Sequence, residues 1–345
     1  MLGSGFDRSL LPNPYSRLIA NSTAEQKLRD LAADSAGIAI EFSSNTSHIT
    51  ANYTLLSGAL DMWHMPSTGV SGIDAYSRIQ PSDNVNVDDN VNGEWMFVGV
   101  LGVPSYPFTS GDLNCGIVNV EGITREWRLH LPTYNNIADL QIGVDDDASV
   151  IPTSSIDTQD ALVWYGSSIA QGAVASRPGN IFTNIIRNRL GIDVINLGFS
   201  GSCHMDSFVA DEIVKIDRAS TLVIDCLPNM DPEEVTEKTY DLVQQIKSAR
   251  PEMKIILAED TTKGGFWLSE DTNEFQTALR KNMKSEYDRL IEDGVDDLFY
   301  VTAEQLYNVT TSPTTEGTHL SDVGMETVAN FYIDYLPRIV SRRLD

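Results

Sequence analysis

Two residues of this sequence could together perform nucleophilic chemistry: Ser168 in YGSSIAQG (165–172) and His319 in TEGTHLSDVG (315–324). A serine hydroxyl attacks a carbonyl only when a base accepts its proton, and histidine is the natural base near neutral pH. Glu316 precedes His319 by three residues and could bind the other ring nitrogen, which would fix the tautomer. Taken alone, a serine after a glycine at a helix start is more often an N-cap, and a lone histidine more often lies on the surface.

Two further segments offer hydrogen-bond donors for a developing negative charge. NLGFSGSCH (196–204) contains Gly201, and DCLPNMD (225–231) contains Asn229. A glycine exposes its backbone N–H and an asparagine carries a side-chain amide, and an oxyanion hole needs donors of both kinds. Since glycine and Pro-Asn also mark ordinary turns, neither segment is decisive alone.

The elements that would position these residues begin after about residue 155, where short apolar runs alternate with amphipathic segments. This alternation predicts a parallel sheet covered by helices on both faces. The predicted strands are ALVWYG (161–166), DVINLGF (193–199), TLVIDC (221–226), MKIILAE (253–259) and DLFYVTA (297–303). One helical segment is predicted up to about Leu190, and another over 231–250 with Asp231 as its N-cap. The four candidate residues then follow strands at one edge of the sheet, where such sheets bind ligands.

The first half of the chain has a different pattern. From about 37 to 145, short alternating runs are separated by Gly, Asn, Asp and Ser clusters, which predicts a β-sandwich or jelly-roll. The polar stretch 81–93 is predicted to be an exposed hairpin loop, and 145–160 contains the domain boundary. We therefore predict an all-β domain at 1–155 and an α/β domain at 156–345.

The order Ser, Gly, Asn, His in these contexts resembles the SGNH hydrolases, also called GDSL-type esterases and lipases. The segments YGSSIAQGAVASRPGN, INLGFSG and IDCLPNM are similar to the sequences of a bacterial subgroup with an N-terminal β-sandwich. TGVSGIDAYSR (68–78) resembles the Gly-x-Asp-Leu-Tyr domain that precedes this subgroup. The resemblance implies a flavodoxin-like α/β domain behind an all-β jelly-roll. It also implies Ser168 as nucleophile, His319 as base, and Ser168, Gly201 and Asn229 as the oxyanion hole.

Two positions depart from the family pattern. Ser167 stands where the family has the aspartate of Gly-Asp-Ser, and Glu316 stands where an aspartate precedes the histidine. Glutamate carries the same charge and serves as third member in other triads. Asp322 is a conceivable substitute for Glu316 in this role.

The resemblance implies a serine carboxylic-ester hydrolase that removes short acyl groups, with acetyl esters of a carbohydrate as the expected substrates. An acyltransferase would use the same residues, and a carbohydrate-binding protein with a decayed active site is a third possibility. Five aromatic residues could stack on sugar rings, although packing is the commoner role of large aromatics. They are Trp63, Tyr76, Trp95, Tyr134 and Trp267.

Composition excludes several classes of function. The net charge is −25, which repels nucleic acids and anionic membranes, and no apolar run is long enough for a membrane span. Three sparse cysteines argue against a disulfide scaffold and a zinc site, and Cys226 is expected to be packed in the core. No cofactor motif is found. The start lacks the pattern of a signal peptide, but a removed leader would leave the same start, so compartment and oligomeric state stay open.

Overall fold

The computed structural model describes residues 1–78, 93–107, 110–112, 123–261, 263–306 and 313–340. The hairpin loop predicted at 81–93 falls outside these ranges except for its last residue, and Cys115 also falls outside them. No helix in the described ranges is both long and apolar enough to cross a membrane.

The first half forms two antiparallel sheets around a shared apolar core. Its strands are β1 (Ala39–Ser44), β2 (Thr50–Leu55), β3 (Ile73–Arg78), β4 (Trp95–Leu101), β5 (Ser110–Asp112), β6 (Arg125–His130), β7 (Ile137–Gly143) and β8 (Val150–Pro152). One sheet has the order β4-β3-β6-β1-β8 and the other the order β5-β2-β7. Along β2 exposed and buried residues alternate strictly, and Tyr53 of this strand shares a core with Phe42 and Trp127 of the larger sheet. The β-rich N-terminal half is confirmed.

The second half contains a five-stranded parallel sheet. Its strands are β9 (Asp157–Gly166), β10 (Ile192–Gly198), β11 (Ala219–Asp225), β12 (Lys254–Ala258) and β13 (Leu298–Val301). The order β10-β9-β11-β12-β13, with every pair parallel, is the flavodoxin-like order that was predicted. Large apolar cores lie on the two faces of this sheet, as expected for strands that read as continuous hydrophobic runs.

Helices flank this sheet and precede the sandwich. The α-helices are α1 (Gln26–Ala33), α2 (Ser67–Val70), α3 (Ser168–Gln171), α4 (Phe182–Leu190), α5 (Ser207–Ile213), α6 (Pro232–Ala249), α7 (Glu270–Glu292), α8 (Ala303–Leu306) and α9 (Asp322–Tyr335). Short 3-10 helices occur at Arg8–Leu10, Pro178–Asn180, Leu227–Asn229 and Leu336–Arg338. The prediction for α6 is confirmed, because Asp231 caps it and forms a capping box with Glu234.

The single helix predicted up to Leu190 is wrong. α3 ends after four residues at Gly172, which has φ 106°, and Val174 also has a positive φ of 70°. A left-handed residue cannot continue a helix, so the chain turns and a second helix, α4, begins at Phe182. Because α3 has only four residues, it offers backbone N–H groups near Ser168 but has only a small helix dipole.

The first 33 residues pack on both halves of the molecule, and Tyr15 lies in the core of the sandwich. Leu18, Leu28 and Ala32 belong to the same core as Val163 of β9. Arg17 is 2% exposed, and its Nη1 donates to the carbonyl of Gly198 at the end of β10 over 2.5 Å. The boundary at 155/156 stays a prediction. The segment before the sandwich was assigned to the first domain, but it contacts the parallel sheet of the second half.

Cys226 is fully buried, as expected, but it is not merely packed. It forms a disulfide with Cys203, with the Cα atoms 5.0 Å apart. The two residues follow β10 and β11, which lie on either side of β9, and the loop after β10 crosses the end of β9 through the bond from Phe199 N–H to Gly166 O. Sequence spacing does not show this crossing, so the bond could not be predicted from the cysteine pattern.

Candidate active site

A tight turn places Ser168 at the carboxyl end of β9. A Cβ atom on Gly166 would lie 2.7 Å from the Cβ of Ala170, so a side chain there would block the turn. Ser167 is the N-cap of α3 and its Oγ accepts from Ile169 N–H over 3.3 Å. Because Ser167 performs the capping, the hydroxyl of Ser168 is available for other contacts, and Ser168 is 7% exposed.

His319 meets this hydroxyl from the loop before α9. The distance from Ser168 Oγ to His319 Nε2 is 2.9 Å, although the residues are 151 positions apart. On the other side of the ring, Glu316 Oε1 lies 2.5 Å from His319 Nδ1. The Glu316 oxygens also accept from the backbone N–H of His319 over 3.1 and 3.2 Å. The three predicted residues therefore form one chain of hydrogen bonds.

The carboxyl group of Glu316 is set up as an anion. Partial burial favours its neutral form, but the hydrogen bonds from the His319 side chain and backbone outweigh burial and lower the pKa of Glu316. Asp322 does not reach the histidine in this way, because its two oxygens bind the N–H and hydroxyl of Ser176 over 2.9 and 2.5 Å. Of the two candidates for the third position, the structure brings Glu316 to the imidazole.

The predicted oxyanion donors follow β10 and β11, the two strands on either side of β9. Gly201 has φ 59°, a conformation that favours glycine, and its carbonyl accepts from Lys27 Nζ over 2.8 Å. Asn229 Oδ1 accepts from Cys203 N–H over 3.2 Å, which turns the NH₂ end of the amide away from that loop. The disulfide between Cys203 and Cys226 ties both loops together, two residues after Gly201 and three residues before Asn229.

Comparison with known proteins identifies the family. The sequence model of the GDSL-like lipase/acylhydrolase family matches residues 159–337, and that of GxDLY, the N-terminus of SGNH-hydrolase-type esterases, matches residues 2–150. The chain belongs to the GDSL-like lipase/acylhydrolase family. It is thus an enzyme of the esterase and acyl-transfer class. No curated protein matches this GDSL-like hydrolase in sequence.

Several solved structures share the fold of this GDSL-like hydrolase. One from Bacteroides ovatus, described as a GDSL-like lipase, has 26% identity and a TM-score of 0.85, and the match covers 98% of this chain and 95% of that one. The salicylyl-acyltransferase SsfX3 of a tetracycline biosynthetic pathway has 15% identity and a TM-score of 0.72 over 92% and 88% of the chains. A family two carbohydrate esterase from Clostridium thermocellum, solved with cellohexaose, has 10% identity and a TM-score of 0.63 over 98% of each chain. The last two show similarity of fold alone.

A set of residues that sequence reasoning missed supports the Gly201 loop of this GDSL-like hydrolase from behind. Gln171 Oε1 accepts from Ser200 N–H over 2.9 Å, and Gln171 Nε2 donates to Asp34 Oδ2 over 3.0 Å. Burial raises the pKa of Asp34 to about 7, partly offset by Arg17. Gln171 belongs to the motif around Ser168, but nothing in the sequence pairs it with Asp34, because the two are 137 positions apart.

The five aromatic candidates divide clearly by exposure. Tyr76 and Trp95 are 7% and 8% exposed and pack between elements, as the packing interpretation expected. Tyr134 is partly buried and its hydroxyl donates to the Ser168 carbonyl over 3.3 Å, so it supports the turn at Ser168. Trp63 and Trp267 are 84% and 74% exposed. Only these last two present a free ring face to a ligand. In the described part of the chain, no group of three metal-binding side chains is found.

Proposed function

We propose that this protein is a serine esterase that hydrolyses short-acyl esters, acetyl esters of a carbohydrate in particular, through Ser168, His319 and Glu316. The observation that carries the proposal is the 2.9 Å contact between Ser168 Oγ and His319 Nε2, backed by the Glu316 carboxylate on Nδ1. A hydroxyl, an imidazole and an ionised carboxyl in this order are the parts of an activated serine nucleophile.

The proposed reaction has two halves. In the first, Ser168 Oγ attacks the ester carbonyl carbon while His319 Nε2 accepts the hydroxyl proton. The carbonyl oxygen becomes an oxyanion, which the N–H groups of Ser168 and Gly201 and the side chain of Asn229 stabilise. The C–O bond to the alcohol then breaks, and His319 delivers the proton to the departing oxygen.

In the second half, water attacks the acyl-Ser168 carbonyl while His319 accepts one of its protons. Collapse of the second tetrahedral intermediate breaks the bond to Ser168 Oγ, and His319 returns the proton to that oxygen. The acid leaves and the enzyme is regenerated. Glu316 stays ionised throughout and holds the ring so that Nε2 faces the serine.

A carbohydrate as the alcohol is supported by two observations. Trp63 is 84% exposed, whereas large aromatics are mostly buried. The fold is shared with family two carbohydrate esterases, one of which was solved with cellohexaose. The match to the salicylyl-acyltransferase keeps a second candidate function open, in which an alcohol replaces water in the second half-reaction.

Two measurements test the proposal. A fluorophosphonate probe labels only an activated serine, so wild-type protein must react at Ser168, and Ser168→Ala must lose both labelling and hydrolysis of p-nitrophenyl acetate. A protein with a decayed site would not be labelled at all. A series of p-nitrophenyl esters of rising chain length must favour acetate, and a preference for octanoate would refute the short-acyl assignment. Addition of a sugar acceptor separates the two candidates, because an acyltransferase forms the new ester faster than free acid.

A further inference from the structure

The N-terminal sandwich extends one tight turn toward the catalytic histidine. Between β2 and α2, Met62 and Met65 pair through both backbone bonds, N–H of Met62 to O of Met65 over 3.0 Å and the reverse over 2.9 Å. The two central residues of this turn are Trp63 and His64. A turn closed by two bonds presents its central side chains in a fixed direction.

This turn is anchored to the chain segment that follows the nucleophile. Met65 is 2% exposed and packs in one apolar cluster with Ala173 and Val174, which come directly after α3. Near it, Thr68 Oγ1 donates to the carbonyl of Ser176 over 2.6 Å. The position of the turn relative to Ser168 is therefore fixed by packing across the two halves of the molecule.

The two side chains at the tip form a continuous surface with His319. The indole of Trp63 stacks on the His64 ring with centroids 4.4 Å apart and an interplanar angle of 24°. The His64 ring centroid lies 5.7 Å from that of His319. The outer face of Trp63 is open, since the residue is 84% exposed, so its packing role is confined to one side.

The direction of proton transfer indicates which part of the substrate contacts Trp63 and His64. His319 Nε2 delivers its proton to the oxygen of the departing alcohol, so that alcohol must lie over the His319 side of Ser168. His64 and Trp63 extend from that side. The acyl group and the oxyanion instead face Gly201 and Asn229.

Resting on the proposed function, we propose that Trp63 and His64 form the subsite for the leaving alcohol and select alcohols built on a ring. A ring of the alcohol packs on the exposed surface of the Trp63 indole, and His64 positions that indole beside His319 by stacking on it. The N-terminal sandwich thereby supplies the specificity for the alcohol, while the α/β domain supplies the chemistry.

The test compares substrates that share the acetyl group and differ only in the alcohol. An acetylated methyl glucoside and cyclohexyl acetate have ring alcohols that reach Trp63, whereas ethyl acetate has an alcohol too small to do so. We expect Trp63→Ala to lower kcat/KM about tenfold for both ring esters, with ethyl acetate changed less than twofold. Trp63→Phe keeps an aromatic face and must retain most of the ring preference. His64→Ala removes the ring on which Trp63 stacks, so it must lower kcat/KM for both ring esters relative to ethyl acetate.

Trp267→Ala is the matched variant, because Trp267 is similarly exposed but has no ring contact with His64 or His319 in the described part of the chain. It must change the ratio of ring ester to ethyl acetate less than Trp63→Ala does. An equal or larger change, or an unaltered ratio in Trp63→Ala, overturns the subsite. Failure of the proposed function is a separate result: wild-type protein would then show no Ser168-dependent cleavage of any of the three acetates.

Discussion

Replacing Glu316 with alanine tests the third member of the proposed triad. The expected loss of kcat can be calculated from the structure. The carboxylate lies 2.5 Å from His319 Nδ1, and the two side chains are 17% and 22% exposed, so an effective dielectric constant of about 20 applies. When His319 accepts the serine proton it becomes a cation, with charge centres about 4 Å apart, and the attraction is about 4 kcal/mol. At 1.36 kcal/mol per factor of ten, Glu316→Ala must lower kcat about 10³-fold.

The assay is steady-state hydrolysis of p-nitrophenyl acetate, with circular dichroism to show that each variant is folded. Glu316→Asp keeps the charge but is one methylene shorter, so its kcat must lie between those of Glu316→Ala and wild type. Asp322→Asn is the matched control, because Asp322 binds Ser176 instead of His319. The reasoning is refuted if Glu316→Ala stays within tenfold of wild type, or if Asp322→Asn loses more activity than Glu316→Ala.

Three other changes have defined outcomes. Asn229→Ala removes one oxyanion donor and must lower kcat by about 10²–10³ with little change in melting temperature; an unchanged kcat would exclude Asn229 from the hole. Replacing both Cys203 and Cys226 by serine opens a loop of 23 residues and must lower the free energy of unfolding by about 3 kcal/mol in a guanidinium titration; equal stability would speak against the bond. Burial raises the pKa of Asp225 from 3.8 to about 8, so the folded state holds a proton that the unfolded state releases, and stability falls as the pH rises between these values. Asp225→Asn must therefore show a smaller loss of melting temperature between pH 5 and pH 9, and an identical loss would contradict the argument.

The candidate triad could be predicted because a parallel sheet simplifies the geometry. Every strand of such a sheet ends at the same edge, so residues that follow different strands are brought together without knowledge of the loops. Ser168 follows β9 and His319 follows β13 after a short helix and a loop, which was enough to expect the contact now seen at 2.9 Å. The cap of α6 at Asp231 was likewise a local property of its sequence.

Long-range features of the loops could not be predicted in this way. The turn after α3 includes Val174 in a left-handed conformation, and nothing about valine indicates a positive φ. The bond between Cys203 and Cys226 requires the loop after β10 to cross the end of β9, which is a property of the folded chain. Pattern reasoning works where a helix, a strand or the edge of the sheet fixes the position of a residue, and it fails where a contact depends on the path of a loop.

The segment that precedes the sandwich also supports the loop that contains Gly201, although this segment contains no candidate catalytic residue. Arg17 holds the carbonyl of Gly198, and Asp34 holds Gln171, whose oxygen fixes Ser200 N–H beside Gly201. An oxyanion donor stabilises the transition state only if its direction is fixed before the charge develops, because reorientation during the reaction would consume the gain. The Gly201 loop has few side chains of its own with which to achieve this. Arg17, Gln171 and Asp34 hold the loop on one side and the disulfide holds it on the other, so the proposed oxyanion hole would depend on segments from both halves of the chain.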